Sequence, residues 1–104
     1  MNLEEKKAKF PRKHAVLGMF DILPDDVDDD LKVLAEKIEA HIMEKFSAYI
    51  ESYHLQDVAY GLQKIVAKSN MPEDIQGGTE PMEESIMENI TGLQRIECTM
   101  VSRT

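Results

Sequence analysis

Residues 14–23 constrain the fold more than any other part of the sequence, because apolar side chains occupy both alternating positions along this segment. One set is Val16, Phe20 and Ile22, and the other is Ala15, Leu17 and Met19. A strand that is apolar on both faces is typical of the centre of a sheet. We therefore predict a central strand here, ended by Pro24.

An amphipathic helix is predicted after this strand. The acidic residues from Asp25 to Asp30 favour a helix start, because they supply an N-cap and first-turn carboxylates that suit the positive end of the helix dipole. The apolar stripe consists of Val27, Leu31, Leu34, Ile38 and Ile42. Its steps of three and four residues indicate one buried face, and we expect the helix to end near Phe46.

Two further strands are predicted in the middle of the chain. Residues 48–56 alternate only weakly, as an edge strand would, with Tyr49, Tyr53 and Leu55 on one side. Asp57 is expected to mark the turn, and residues 62–69 form the next strand. A long polar loop follows, which contains turn-forming Pro and Gly residues.

The last elements are a short helix and a final strand. Thr79 is the expected N-cap, Met82, Ile86 and Ile90 form one helix face, and Gly92 ends the helix. In the final strand three apolar residues alternate with three polar ones, and we expect the apolar set to face the core. That set is Ile96, Cys98 and Met100.

The predicted order of elements is therefore βαββαβ. Right-handed crossovers fold two such units into a four-stranded antiparallel sheet with both helices on one face, which is the α+β ferredoxin-like fold. With 104 residues the chain has room for a single domain, which we place at residues 14–104. Residues 1–13 are predicted to be a charged N-terminal extension, mobile or loosely helical, outside the core.

Charge is distributed unevenly along the chain. Residues 1–13 carry five basic and two acidic residues, so the net charge of −8 leaves −11 for residues 14–104. A body this acidic repels phosphate backbones and attracts basic partners, so no direct nucleic-acid ligand is expected. The extension is either a solvated tail or a basic arm that docks on ribosomal RNA or an acidic surface.

Compartment and membrane contact follow from the cysteine count and hydropathy. Cys98 is the single cysteine and cannot form an internal disulfide, and no secretory leader pattern is present, so we expect a reducing cytoplasm. No apolar run approaches the roughly 18 residues needed to span a membrane.

The sequence shows no motif for metal binding, phosphate binding or catalysis. The three histidines share no ligand spacing with one another or with Cys98, and the run from Asp25 to Asp30 lacks the Gly and Glu of a calcium loop. Gly77 and Gly78 lack the GxxxxGK[ST] continuation of a phosphate loop and are interpreted as a turn. We therefore expect no metal site, no cofactor and no catalytic residue.

Three segments in order resemble a known family. They are Asp21-Ile22-Leu23-Pro24-Asp25-Asp26 with Leu31, then Val58-Ala59-Tyr60-Gly61-Leu62-Gln63-Lys64, and then Gly77-Gly78-Thr79-Glu80. Over residues 14–104 the chain resembles the nucleotide-exchange domain of translation elongation factor 1-beta, in its eukaryotic and archaeal versions. Each segment alone is weak, but three at the right spacing are fairly specific.

The resemblance implies a guanine nucleotide exchange factor that performs no covalent step. Its partner would be elongation factor 1-alpha, a GTPase, and whether other elongation factor 1 subunits also bind is left open. In family members an aromatic residue before a glycine packs into the GTPase, and a basic residue near the C-terminus reaches the magnesium and phosphate site. The matching partner-binding residues here are Tyr60, Gly61, Lys64 and Arg103.

Two departures from the family pattern bear on mechanism. Eukaryotic members usually carry lysine where Arg103 stands and tryptophan where Asp25 stands. They also carry an N-terminal partner-binding domain, so the chain is either a short form, as archaeal members are, or a fragment. A guanidinium is a flat fork suited to carboxylates and phosphates, so Arg103 could bind near the metal without displacing it.

Other interpretations remain open at this stage. The same fold could carry an RNA-binding module, or a small hydrolase or metabolite-binding domain with a polar pocket. Tyr60 could instead close a strand end over the core, and Arg103 could be a frayed cation near the chain end.

Overall fold

The computed structural model describes residues 1–26, 30–74 and 78–104. In chain order the elements are α1 (Leu3–Lys9), β1 (Ala15–Pro24), α2 (Leu31–Phe46), β2 (Tyr49–Ala59), β3 (Leu62–Pro72), α3 (Glu80–Asn89) and β4 (Leu93–Arg103). The predicted βαββαβ order is confirmed by the elements from β1 to β4.

The four strands form one antiparallel sheet in the order β2-β3-β1-β4. Strand β1 is central, as its two apolar faces predict, and β2 lies at an edge, as its weaker alternation predicts. Helices α2 and α3 contact each other and pack on the same side of the sheet. The ferredoxin-like α+β fold is thereby confirmed.

The core lies between the sheet and the two helices. Its buried members from the sheet include Phe20, Ile22, Ile65, Ala67 and Met71, and those from the helices include Leu34, Ile38, Ile42, Met82 and Ile86. The predicted stripes of both helices therefore face the sheet, except that Val27 lies outside the described residues. Burying a large aliphatic or aromatic side chain contributes about 1.5–3 kcal/mol, so this layer supplies most of the driving force for folding.

The start of α2 differs from its prediction in one respect. The Asp30 carboxylate caps the helix by accepting from the backbone N–H groups of Lys32 and Val33. The first turn carries no acidic residue, so the prediction of first-turn carboxylates is wrong. The helix ends at Phe46, as predicted, and Ser47 follows in the left-handed conformation.

The end of α3 also corrects the prediction. Thr79 is the N-cap residue, as predicted, although its side chain makes no capping hydrogen bond. The helix ends at Asn89, before Gly92, which adopts a left-handed conformation in the turn that leads to β4. Acidic side chains at Glu80 and Glu83 lie in the first turn, where the helix dipole favours them.

A β-bulge changes the outer half of β4. Met19 lies opposite Met100, whereas the next residue, Phe20, lies opposite Cys98, so Thr99 is an extra residue. Ile96 and Cys98 pack against the core, as predicted. Met100 is 64% exposed, and the prediction that it faces the core is wrong because the bulge shifts the alternation by one residue.

The β2–β3 hairpin is longer than predicted. Asp57 lies within β2 opposite Gln63, so the turn predicted there is wrong. The strand continues to Ala59, which pairs with Leu62 across a two-residue turn. Strand β3 extends to Pro72 rather than to Ser69.

Residues 1–13 lie against the body of the domain. Asn2 and Glu5 form a capping box at the start of α1, and none of the helix residues is buried. The Lys6 ammonium contacts the Glu39 carboxylate at 2.7 Å and the Ile50 carbonyl at 3.0 Å. The Phe10 ring stacks on Tyr49 with 6.1 Å between centroids. The division into residues 1–13 and 14–104, and the mobility of the first segment, stay predictions.

Gly18 provides a test of packing in β1. A Cβ added there would lie 2.6 Å from Cε of Met71, which is fully buried, and 2.9 Å from the Phe20 ring. Overpacking of this kind costs about 1–3 kcal/mol, so Gly18→Ala should lower the free energy of unfolding by that amount in urea titrations. If the clash with Met71 is the cause, Gly18→Ala and Met71→Ala should be less destabilising together than their sum, and strict additivity would contradict it.

Tyr49 gives the domain a pH dependence in the alkaline range. Burial raises the pKa of the Tyr49 hydroxyl, the nearby Arg12 guanidinium opposes this in part, and Glu51 adds to it. The unfolded chain therefore deprotonates first, so the stability from this group is present below pH 10 and is lost as pH rises further. Tyr49→Phe should flatten the fall of the unfolding midpoint between pH 9 and 11, measured by denaturant titration. Tyr53→Phe, a change at a more exposed ring, should keep the slope.

Candidate functional site

The tip of the β2–β3 hairpin presents an aromatic ring to solvent. Tyr60 and Gly61 form the two-residue turn, with φ values of 51° and 80°. Two consecutive left-handed residues correspond to a type I′ turn, where Asn, Asp and Gly are favoured. Tyr60 is 102% exposed, so its ring contacts none of the core, and the interpretation that it closes a strand end over the core is wrong.

Apolar side chains accompany Tyr60 along the hairpin. Leu55 and Val58 are about half exposed, and Leu55 borders an open groove of about 310 Å³ that runs towards the start of α2. The groove is lined by Pro24, Asp26, Asp30, Leu31, Lys32, Leu55, Gly61, Leu62 and Gln63. The hairpin end is stiffened by a hydrogen bond of 2.9 Å from the Gln63 amide to the Asp57 carboxylate. The tip is therefore an exposed apolar surface at the end of a hairpin whose pairing is interrupted beside the tip by a bulge at Val58.

Lys64 lies near this end but on the face of the sheet opposite the helices, because its neighbour Ile65 is buried in the core. Its ammonium contacts the Asp21 carboxylate at 2.7 Å, and both side chains are about one quarter exposed. This ion pair joins Lys64 of β3 to Asp21 of the neighbouring strand β1. Of the predicted partner-binding residues, Lys64 is thus already engaged within the domain.

Arg103 lies at the other end of the sheet. It is the last residue of β4, lies opposite Val16 at the start of β1 and has an exposed side chain. Its neighbour Thr104 is held to Ala15 through its backbone N–H, at 3.1 Å from the Ala15 carbonyl. Arg103 therefore belongs to a paired strand, which does not match the interpretation of a frayed cation.

Sequence reasoning missed three basic residues beside Arg103. An open depression of about 530 Å³ is lined by Arg12, Lys13, His14, Pro72, Glu73, Asp74 and Arg103. The signal was available, because the end of an antiparallel β4 must lie beside the start of β1, and residues 12–14 immediately precede β1. This end of the domain combines cations with two exposed carboxylates.

The two ends are far apart. Arg103 lies opposite Val16, whereas Ile65 lies opposite Ile22, six residues further along β1, and Leu62, the first residue after the turn, precedes Ile65 by three residues. At about 3.3 Å per residue, these steps separate Tyr60 from Arg103 by roughly 30–35 Å along the strands. The long axis of the domain is 42 Å. The structure thus places Tyr60 with Gly61 at one end and Arg103 at the other, and only a macromolecule could contact both.

The described residues offer little to other kinds of site. No group of three or more His, Cys, Asp and Glu side chains among them is arranged to hold a metal ion. Every buried polar side-chain atom that the structure describes has a hydrogen-bond partner, so none is left waiting for a ligand. Within the same ranges, none of the helices has the length and apolar character needed to cross a membrane.

The open face of the sheet also differs from an RNA-binding surface. RNA-recognition sheets display aromatic residues on their central strands, where bases stack. On β1 and β3 the residues of this face are Leu17, Met19, Asp21, Leu23, Lys64, Val66, Lys68 and Asn70. None is aromatic, and Lys64 and Lys68 are paired with Asp21 and Glu51. The RNA-binding alternative is therefore not favoured.

Comparison with known proteins agrees with the resemblance found in the sequence. Residues 18–104 match the family model described as the EF-1 guanine nucleotide exchange domain. Elongation factor 1-beta of Staphylothermus marinus is 36% identical over 88 residues, which cover 85% of this chain and 94% of that protein. Elongation factor 1-beta of Aeropyrum pernix is 37% identical over 82 residues, covering 79% and 88% of the two chains. The chain belongs to the family of EF-1 guanine nucleotide exchange domains.

Proposed function

We propose that this protein promotes the release of GDP from translation elongation factor 1-alpha by contacting the GTPase with both ends of its sheet. Tyr60 and Gly61 form the docking end, and Arg103 forms the end that disturbs the nucleotide site. The chain performs no covalent step in this scheme. Family membership supports the exchange activity, and the placement of the two ends supports the division of roles.

The observation that carries the proposal is the conformation of Tyr60. A bulky residue with positive φ costs of order 1–2 kcal/mol, and a fully exposed ring gains no burial within the domain. The tyrosine thus destabilises the fold through its backbone conformation, and burial of the ring does not offset this cost. It becomes favourable when a partner covers the ring, because an aromatic side chain in a pocket is a frequent centre of binding energy.

Arg103 can act on the nucleotide site of the partner through its charge. A GTPase holds GDP through a magnesium ion and through donors to the phosphates, so a cation brought close to the metal competes with it. The guanidinium can also pair with carboxylates that bind the metal or with the β-phosphate. Either contact weakens the hold on GDP without any bond being made or broken.

Linkage determines how the cycle ends. If the exchange factor lowers the affinity of the GTPase for nucleotide by a given factor, nucleotide lowers the affinity for the exchange factor equally. Each tenfold change corresponds to about 1.4 kcal/mol. Incoming GTP therefore expels the exchange factor, and one copy can serve many GTPase molecules.

The charge of the body suits a basic docking surface on the partner. Residues 14–104 carry a net charge of −11, which accelerates encounter with a positively charged surface more than it strengthens the final complex. In this proposal Lys64 contacts the partner beside the tip. It does so either while still paired with Asp21 or by replacing that pair with one to an acidic group of the partner. The cytoplasm as the site of action and further elongation factor 1 subunits as partners stay part of the proposal.

The direct test is release of labelled GDP from the cognate elongation factor 1-alpha. The wild-type chain should accelerate release. Tyr60→Ala should raise the concentration of exchange factor that gives half the maximal rate by about 10- to 30-fold, as expected for a buried anchor worth roughly 1.4–2 kcal/mol. Arg103→Ala should lower the maximal rate itself, because its contact acts at the nucleotide site.

Two controls make the assay decisive. Tyr53→Ala changes a less exposed ring of the same hairpin, away from the tip, and should leave both parameters within about twofold of wild type. Arg103→Lys keeps the charge, so retained activity assigns the effect to charge and lost activity assigns it to the guanidinium fork. No acceleration by the wild-type chain would refute the exchange activity on this GTPase.

A second prediction separates stability from function at the tip. Tyr60→Asn should raise the free energy of unfolding by about 0.5–1 kcal/mol, because Asn is favoured at a left-handed turn position and no packing is lost. The same variant should exchange GDP as poorly as Tyr60→Ala. Gly61→Ala, at φ 80°, should instead be destabilising in the same denaturant titrations. A Tyr60→Asn variant less stable than wild type would contradict the strain at this position.

A further inference from the structure

We infer that Arg12 is a positioning residue for Arg103. In this inference, which rests on the proposed function, Arg12 anchors the segment that precedes β1, and that segment holds the end of β4 in place. Residues 12–14 immediately precede β1, and the match to the family model begins inside that strand, at residue 18.

The Arg12 guanidinium is tied to two elements of the body. Its Nε donates to Oδ1 of Asn70 at 2.7 Å, and its Nη2 donates to the Ser47 carbonyl at 2.8 Å and to the Asn70 carbonyl at 3.2 Å. Its Cζ lies 5.5 Å from the centroid of the Tyr49 ring. Burial lowers the pKa of Arg12, and the group remains a cation at neutral pH. This arrangement fixes the backbone at residue 12.

Asn70 is itself held in place. It is a buried residue of β3, and its Nδ2 donates to the Glu51 carboxylate at 2.9 Å. The Asn70 amide therefore joins Glu51 of β2 to the guanidinium through charge-assisted hydrogen bonds, which are stronger than neutral ones. Two of the three hydrogen bonds of Arg12 thus anchor it to the sheet, at Asn70.

Two residues after Arg12, the chain contacts the end of β4. Nδ1 of His14 donates to the main-chain oxygen of Thr104 at 3.2 Å. The Ala15 N–H donates to Oγ1 of Thr104 at 2.9 Å, and the Thr104 N–H donates to the Ala15 carbonyl at 3.1 Å. These three hydrogen bonds hold Thr104, the residue next to Arg103, against the start of β1.

The end of β4 depends on such contacts because little else holds it. Strand β4 is an edge strand, paired only with β1, and the residues from Met100 to Arg103 are all exposed. The bulge at Thr99 interrupts the ladder just before this stretch. An edge strand that buries no side chains separates from its neighbour at a low free-energy cost. The position of Arg103 therefore depends on how firmly residues 14–16 hold the end of β4.

The experiment compares Arg12→Ala and Arg12→Lys with wild type in the labelled-GDP assay, with the full chain. Both variants should lower the maximal rate by about 3- to 10-fold, because a small misplacement of an acting group is costly. The concentration for half-maximal rate should change less than twofold, since the Tyr60 end is untouched. Arg12→Lys keeps the charge but not the three hydrogen bonds, so its failure to restore the rate separates positioning from direct electrostatics.

A second readout does not depend on the exchange activity. The ¹⁵N order parameters of Arg103 and Thr104 in Arg12→Ala should fall from the range of rigid backbone, about 0.85, towards 0.6 or below, while that of Ile96 stays unchanged. Lys6→Ala is the matched control, because it removes contacts of the same segment to Glu39 and Ile50 but none near Arg103. It should leave the maximal rate and both order parameters at wild-type values.

The outcomes separate the two proposals. Unchanged order at Arg103 and Thr104 in Arg12→Ala, full activity of Arg12→Lys, or equal defects in Lys6→Ala would each overturn the role of Arg12. If Arg103→Ala leaves GDP release unchanged, the proposed role of Arg103 fails instead. The order parameters would then still show whether Arg12 holds the end of β4.

Discussion

The placement of β1 between β3 and β4 is the constraint on which the rest of the structure depends. Its buried side chains face the helices, and its register with both neighbours is set by the pairing of Ile22 with Ile65 and Ile96. A slip of one residue would turn every buried side chain to the open face, so the register is strongly specified. That register fixes where the β2–β3 hairpin ends and where β4 ends, and thereby sets the separation of Tyr60 from Arg103.

The unfavourable features of the domain lie outside its core. Tyr60 takes a strained conformation in a turn that the helices do not cover, and the exposed end of β4 follows a bulge. Between these ends, the core and the Lys64–Asp21 pair keep the sheet well ordered. Because typical domains are stable by only about 5–15 kcal/mol, a cost of 1–2 kcal/mol is tolerable at a site where a partner repays it on binding.

Much of the fold could be predicted because its signals are local. Apolar residues at both alternating positions of residues 14–23 predict a central strand, and the stripe from Leu31 to Ile42 predicts α2, since each pattern records which faces are apolar. The prediction was wrong where a single extra residue decides the outcome. The bulge at Thr99 exposes Met100, and the type I′ turn at Tyr60 displaces the turn expected at Asp57. Neither feature leaves a periodic signal in the sequence.

The candidate surfaces could be predicted only in part. Tyr60 and Arg103 were reached through the family resemblance, since an exposed tyrosine and a cation near a strand end mean little alone. The neighbours of Arg103 were missed because residues 1–13 were interpreted by composition, as a charged extension. Composition gives the charge of a segment but not its contacts. Arg12 forms a hydrogen bond with Asn70, which lies 58 residues away in sequence. Such long-range contacts require the fold before they can be found.

Two distant contact points make the stiffness of the sheet part of the mechanism. If docking at the Tyr60 end is to direct Arg103 to the nucleotide site, the 30–35 Å between them, estimated from strand rise, must not bend freely. An antiparallel pair of strands with a buried face satisfies this requirement. A flexible loop would not, because ordering it on binding would cost conformational entropy. The weakest part of that connection is the last stretch of β4, since it is paired on one side and buried on neither. Holding this stretch through residues 12–14 would therefore convert docking at one end into a defined position of the cation at the other.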